Sequence, residues 1–552
     1  MSSSETAVLE HRFHRQLGLV DQDAVESLRV SISGDSDLTL AVLSQLASIG
    51  IGCAEDGAIR LVQDARSELG ESRHKWIFDH LGEVATWEDL ASSLESIYGV
   101  EVVFGDDSEA LHLHCDRGES TGTVADLYAT AWHGQAVISR QPLRFTDAPN
   151  VEPCLLDSSL ETALAATSAQ HILALAGVVR EDALSDRWIS LTARVEDMTP
   201  EEVLKRFSSE YGNPTVTMLP DSKGSVLRFR IPLDETHEAL LRSIDHACKP
   251  PLKLANDWVM PIGPFPLSTD EDGNVLATDL DLPAHLENAN VLVLGTGGLG
   301  SWATPLFSAG IAADGLRLSL VDADDSVDVH NLNRQVLYTP AELGLAKAPA
   351  AARRMISLLP EGANVTAIQH RLEERHTISE QQIVTTPDAG MVSLDEVVGA
   401  EQVCDDRPLL DAIDQMDIAL ACLDNQFART MLNRSCQQHG VPMINGGGEG
   451  FSGVVEVLDG NVCMVCRYGE EAAREQEVVS CQETGGRPVA SIVTTTAWVG
   501  AMQAALALLE LLKLQQGIDW GHLAGLAWND GTVHERPVAG LPWIEGACSS
   551  HL

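Results

Sequence analysis

Basic residues are scarce in this chain: 36 Lys and Arg, only seven of them Lys, stand against 81 Asp and Glu, for a formal charge of -45. Phosphate backbones and anionic lipid would be repelled, which argues against nucleic acid and membrane surfaces as partners. The acidic excess is spread along the chain and not gathered in a tail, the pattern of a solvated anionic surface. Long apolar runs are also missing, and none is read as reaching the roughly 18 to 20 residues of a membrane helix. The opening Met1-Ser-Ser-Ser-Glu5 has neither the basic nor the apolar region of a targeting signal, so a cytoplasmic protein is expected. Cysteine is sparse and odd in number, 11 in 552 residues, and in such a compartment Cys463-Met-Val-Cys466 suggests metal before disulfide. The remaining composition, 44% hydrophobic and 21% charged, is that of a globular protein. At about 150 residues per domain, the length predicts roughly three or four units.

The richest stretch is Val291-Leu-Val-Leu-Gly295-Thr-Gly297-Gly298-Leu-Gly300, four β-formers running into glycines. A helical composition follows from Ser301 to Gly310, then an apolar run from Leu316 to Val321 that ends in Asp322. Strand, tight turn, helix, strand and acid is the order in which glycines let backbone N–H groups approach a phosphate and a carboxylate holds a ribose hydroxyl. That much is equally consistent with a nicotinamide-dependent oxidoreductase. The polar block Asn331-Leu-Asn333-Arg334-Gln335 and the helix opening at Lys347 would have no task there. A nucleoside triphosphate needs them, because charge develops on its phosphates and calls for cations and amide donors. Ile418-Ala-Leu-Ala-Cys422-Leu-Asp424-Asn425 reads as a buried strand ending in an acid, followed by a helix carrying Arg429 and Asn433. A strand-end acid beside phosphates is where magnesium would sit.

Gly-x-Gly-Gly-x-Gly, Asp322, Asn-Leu-Asn-Arg-Gln, Lys347 and Cys-x-Asp-Asn-x-x-x-Arg-x-x-x-Asn resemble, in order and spacing over about 285–552, the ThiF/MoeB/ubiquitin-activating superfamily of ATP-dependent adenylating enzymes. The resemblance implies an α/β, Rossmann-like doubly wound adenylation domain. ATP would be held by Gly295, Gly297, Gly298, Gly300, Asp322, Asn331, Asn333, Arg334, Lys347, Asp424 and Asn425, with Arg334, Lys347 and Asp424 catalytic and Asp424 also serving Mg2+. It further implies structural Zn2+ on Cys463 and Cys466, with Cys548 and His551 standing where the family has a second Cys-x-x-Cys. A loose tail and two incidental thiols is the alternative. Cys481 lies where some members carry a cysteine that accepts an acyl group or sulfur; a small residue supporting the turn would serve as well.

Arg29 to Gly34, Leu38 to Ile49 and Ala58 to Val62 repeat the strand, helix, strand plan, but Gly34-Asp35-Ser-Asp37 replaces the glycine loop. Carboxylates there repel a triphosphate, so this half is expected to be a degenerate, inactive copy. Ahead of it, His11-Arg12-Phe-His-Arg15-Gln16 resembles the family's Arg-Tyr-x-Arg-Gln segment, whose second arginine crosses to the ATP of the other subunit in homodimeric relatives. Arg15 is therefore expected to act on the second half in an intramolecular pseudo-dimer, with further dimerisation left open.

The expected organisation is a degenerate half over 1–187, a small α+β insertion over 188–257, a connector over 258–284 and an active domain over 285–552. The insertion either recognises a partner or spaces the halves. The expected function is acyl adenylation of a C-terminal carboxylate on a ubiquitin-like sulfur-carrier protein or, as in the MccB-like branch, a ribosomal peptide. A non-catalytic module that captures such a peptide or carrier, its nucleotide site vestigial, is the alternative.

Overall fold

The computed structural model describes residues 10–117, 123–139, 153–179, 259–265, 280–370, 409–459, 463–465, 490–520 and 525–535, apart from isolated positions, together with four further strands and a few single residues. Within the insertion, residues 200–211 and 235–248 read as helical in sequence and lie outside the described residues.

Two sheets dominate. The first is built from β1 (Arg29–Gly34), β2 (Ala58–Leu61), β3 (Val102–Phe104), β4 (Leu111–Asp116), β5 (Leu127–Trp132) and β6 (Gln135–Ser139). Three strands of a separate small sheet follow, β7 (Trp188–Val195), β8 (Thr215–Asp221) and β9 (Gly224–Pro232), paired antiparallel in the order β7-β9-β8. The alternating run Val226 to Ile231, strand-like in sequence, falls within β9. β10 (Val259–Pro261) then returns to the first sheet and pairs antiparallel with β6. The segment expected to be a mere connector thus supplies an edge strand, and Phe265 and Leu282 from it are buried in the core.

The second sheet contains β11 (Ala289–Leu294), β12 (Leu316–Asp322), β13 (Asn364–Gln369), β14 (Ile383–Val384), β15 (Ile418–Ala421), β16 (Met443–Glu449), β17 (Ser452–Leu458), β18 (Gly525–Asn529) and β19 (Thr532–Glu535). Its order is β14-β13-β12-β11-β15-β16-β17-β18-β19, and that of the first sheet is β10-β6-β5-β4-β1-β2-β3. Strands β1 to β5 are mutually parallel along their ladder, as are β11, β12, β13, β15 and β16. In each sheet the next strands on one side, β6 and β10 or β17 and β18, run antiparallel. Seven strands therefore occur twice in the same order and direction. In both sheets the order reverses beside the first strand, between β1 and β4 and between β11 and β15, where doubly wound sheets open a crevice for ligands.

Strands such as β11, Ala-Asn-Val-Leu-Val-Leu, are apolar on both faces because helices cover both sides of a parallel sheet. The halves meet along two buried helices, Asp157–Leu175 and Val493–Gln516, tied by a hydrogen bond from Thr494 Oγ1 to Gln170 Oε1 at 2.9 Å. By length and mean hydropathy, 1.4 over its most apolar window, Val493–Gln516 would suffice to cross a membrane, contrary to the expectation that no segment does. It lies instead almost wholly within the protein interior.

Candidate functional site

The glycine loop joins β11 to the helix Gly300–Ser308 at the reversal point of the second sheet. Gly295 has φ +89, and a Cβ there would lie 2.4 Å from the Cys422 carbonyl oxygen, so only glycine lets β11 turn this close to β15. A Cβ on Gly300 would lie 1.9 Å from the carbonyl oxygen of Gly295, which closes the loop on itself. Gly297 differs, since a Cβ there meets only the Gln335 side chain at 3.8 Å. Its missing side chain leaves a cradle, and the helix behind it starts with no side-chain cap on its first N–H groups.

Asp322, at the end of β12, is 9% exposed and already holds protein donors. Oδ2 accepts from Thr296 N at 2.6 Å and Thr296 Oγ1 at 2.8 Å, while Oδ1 accepts from Asp324 N at 2.9 Å. Three of about four acceptor positions on a carboxylate are filled, so its first task is to hold the glycine loop, with one lone pair left for a ribose hydroxyl. Tyr338 adds to this lock, its hydroxyl lying 2.8 Å from Thr296 Oγ1. Burial pushes the Asp322 carboxyl above its ordinary range, and the Lys347 charge offsets only part of that. Lys347, buried at the start of the helix Lys347–Leu358, makes an ion pair with Asp324. Burial pulls its ammonium down, but Asp322 and Asp324 outweigh it and hold the lysine charged.

Arg334 is buried, donates to Asn333 Oδ1 at 3.3 Å and also bonds the His330 carbonyl oxygen. Burial lowers His330 to about 4, helped by the charges of Arg334, Arg15, Lys347 and His14. The imidazole is thus neutral at pH 7, and cationic side chains from both halves act on one locus. That is a setting for a polyanion. Gln335 Oε1, buried beside Gly297, has no hydrogen-bond partner among the described residues and offers an acceptor to a nucleotide's hydroxyl or amine. The residues present therefore fit a nucleoside triphosphate.

Several expected ligands are used to shape loops. Asn331 Oδ1 accepts from Asp328 N at 2.9 Å, and Asn425 Oδ1 accepts from Ala428 N at 3.0 Å, capping the helix Gln426–His439. Asp424 stands exposed beyond β15, next to this cap. Among the described residues no group of three or more His, Cys, Asp or Glu is arranged to hold a metal. Magnesium at phosphates takes one or two carboxylates and the substrate's own oxygens, so a single exposed carboxylate such as Asp424 would suffice to hold it. Of the expected zinc set only Cys463 is described, and it is buried; Cys466, Cys548 and His551 lie outside the described residues, as does Cys481.

The N-terminal segment does cross. Asn333 Nδ2 donates to Gln16 Oε1 at 3.3 Å, and Ser491 N donates to the Arg15 carbonyl oxygen at 3.0 Å. Arg15 itself is 5% exposed. Thr296, Asp324 and Tyr338 carry no motif in the sequence, whereas Gln16 is the last residue of the N-terminal segment that contains Arg12 and Arg15.

The first half carries the corresponding turn in altered form. Gly34 has φ +106 and a Cβ there would lie 1.8 Å from the Cys115 carbonyl oxygen, the same device as Gly295 against Cys422. Two residues past that carbonyl stands Arg117 where the second half has Asp424. Asp35 caps the helix Ser36–Ile49, accepting from Leu38 N at 3.1 Å. Asp37 lies 3.4 Å from Arg117 and 3.5 Å from Arg73. Both guanidiniums also reach Glu161, which is 2% exposed at its side chain and lies 2.8 Å from His74 Nε2. Carboxylates of the chain itself thus occupy the helix N-terminus that a phosphate would need.

Comparison with known proteins matches residues 274–529 to the ThiF family. The sulfur carrier protein ThiS adenylyltransferase of Escherichia coli (strain K12) is 28% identical over 243 residues, which span 44% of this chain and 77% of that protein. The molybdopterin-synthase adenylyltransferase of Haemophilus influenzae is 28% identical over 244 residues, 44% of this chain and 82% of that protein. A crystal structure of E. coli MccB with ATP aligns over 48% of this chain and 68% of that one, at 19% identity and a TM-score of 0.34. With its glycine loop, acid, arginine and lysine gathered at the sheet's reversal point, the segment 274–529 is a ThiF-family domain.

Proposed function

We propose that this adenylyltransferase activates the C-terminal carboxylate of a ubiquitin-like sulfur-carrier protein or a ribosomally made peptide, using ATP at the second half's site. A carboxylate oxygen bonds to the α-phosphorus, the bond from that phosphorus to the bridging oxygen breaks, and pyrophosphate leaves, so an acyl adenylate forms. The carrying observation is the Gly297 cradle with Gln335 beside it, next in sequence to the buried Arg334, in a half that also buries Lys347 and that the Arg15 segment reaches through Gln16 and Asn333. Fixed cations of this kind stabilise charge as it develops on the phosphates, without reorganising during the step. Asp322 holds the loop through Thr296, and Asp424 is assigned to Mg2+, which when bound would neutralise phosphate charge. The relatives, a sulfur-carrier adenylyltransferase and a molybdopterin-synthase adenylyltransferase, support the carrier class of substrate.

In this reading the first half is a copy of the adenylation domain without a nucleotide site of its own, contributing Arg15 in place of a partner subunit. The repeated strand order and the carboxylates at Asp35 and Asp37 support that. The test is pyrophosphate exchange into ATP across neighbouring-gene peptides and Gly-Gly carriers. Exchange that needs one partner, and is lost in Asp424→Ala, is the expected result; tight partner binding with no exchange would leave only the capture-module reading. Undiminished turnover in Arg15→Ala would sink the crossing-arginine role.

A further inference from the structure

We propose that Trp76, in the half without a nucleotide loop, is a positioning residue for Arg334 in the other half; the role rests on the adenylation reading above. Trp76 sits on the short helical turn Lys75–Leu81, between β2 and the helix Trp87–Tyr98. Its ring meets Trp302 edge to face, with centroids 6.4 Å apart and planes at 73°. Trp302 is fully buried in the helix that follows the glycine loop, and its Nε1–H donates to the Arg334 carbonyl oxygen at 3.0 Å. The backbone carbonyl of Trp76 accepts from the Arg354 guanidinium at 2.8 Å, and Arg354 belongs to the helix that begins at Lys347. One residue of the first half therefore touches the supports of both the loop arginine and the phosphate-site lysine.

The turn that carries Trp76 is itself anchored. Arg73 and His74 bind Glu161 at 2.5 and 2.8 Å, and Ile77 and Phe78 are buried in the first half's core. An indole held on one edge by an aromatic neighbour and at its nitrogen by a carbonyl has little freedom to tilt. Without the edge contact Trp302 gains that freedom, the Arg334 backbone follows, and misplacement of a charge-stabilising group is paid in affinity and rate. The carboxylates that close the first half's own turn thus also steady the residue that buttresses the second.

The experiment measures ATP Kd by titration calorimetry and ATP KM and kcat by pyrophosphate exchange, in the full chain. Trp76→Ala is expected to raise Kd and KM by about tenfold, the upper end of an aromatic pair's contribution. Trp76→Phe, which keeps a ring edge, should return both to within about twofold of wild type. If alanine unfolds the chain, Trp76→Leu, apolar but without a ring edge, reads the same shift. Leu94→Ala, in the first half's core, controls for general destabilisation and should lower Tm with KM unmoved. Wild-type Kd and KM in Trp76→Ala overturn the proposal, and so does an equal shift in Leu94→Ala. No ATP binding by the wild type overturns the adenylation reading and this proposal with it.

Discussion

Replacing Asp322 by Asn tests whether the loop lock sets nucleotide affinity. The carboxylate takes three protein donors, Thr296 N at 2.6 Å, Thr296 Oγ1 at 2.8 Å and Asp324 N at 2.9 Å. An amide of the same shape offers one oxygen and one NH2 group. Whichever way it is turned, at least one backbone N–H faces another donor. Losing a hydrogen bond to a charged group in a buried setting costs about 1.5–3 kcal/mol. The attraction between Asp322 and Lys347 is lost as well, which leaves the lysine to its ion pair with Asp324. If the loop must be reordered for ATP to bind, the cost appears in binding, and at ~1.4 kcal/mol per tenfold it amounts to roughly 10- to 150-fold in Kd. Titration calorimetry of ATP against wild type and Asp322→Asn measures it directly. A Kd for Asp322→Asn within about threefold of wild type would refute the reasoning and return Asp322 to a purely structural place in β12.

Gly295→Ala and Gly34→Ala put a Cβ 2.4 and 1.8 Å from a carbonyl oxygen at positive φ, so each should lower Tm, with a strain of about 1–3 kcal/mol or more; only the first should also abolish ATP binding. Asp35→Asn keeps the cap on Leu38 and cannot ionise. Burial raises the Asp35 carboxyl despite Arg117, so its ionisation opposes folding and stability falls as pH rises through its folded pKa. The variant should therefore melt higher than wild type at pH 7, with the gap closing below the ordinary carboxylate value of about 3.9; a gap that persists there counts against the sign. For zinc, elemental analysis should find one ion per chain, lost in Cys463→Ala, and chelation should lower Tm if Cys463, Cys466, Cys548 and His551 form the site; a metal-free chain with unchanged Tm removes it.

Local pattern carried most of what was legible. The run from Val291 to Asp322 is continuous and apolar, with glycines at fixed spacing, and the strand, helix and acid fall where that pattern puts them. The first half was legible for the same reason at the level of strands. What tertiary pairing decides was not. Thr296 has no pattern of its own, and it matters because β12 brings Asp322 under it. Arg73 and Arg117 neutralise Asp37 and Glu161 from 36 to 88 positions away in sequence, beyond any local period. Val259–Pro261 is three residues long and ends in proline, so it reads as linker; its place as an edge strand depends on β6, on the far side of the small sheet. Asn331 and Asn425 show a different limit of the sequence, since residue types suited to a ligand serve equally well as caps.

The pairing of the two central helices bears on how the chain is born. Gln170 finds Thr494, His171 lies 3.0 Å from the Gly531 carbonyl oxygen, and Gln16 finds Asn333, contacts spanning 324, 360 and 317 positions. On a ribosome adding about 5–20 residues per second, the first-made half waits tens of seconds for the partners that cover its helix Asp157–Leu175. Contacts this distant in sequence also slow the final docking, because loop closure comes before any gain from them. During that interval an alanine- and leucine-rich helix face stands exposed. The first sheet must therefore be stable enough to stand alone until the second is finished, which gives the Glu161 ion cluster a task in synthesis as well as in the mature fold.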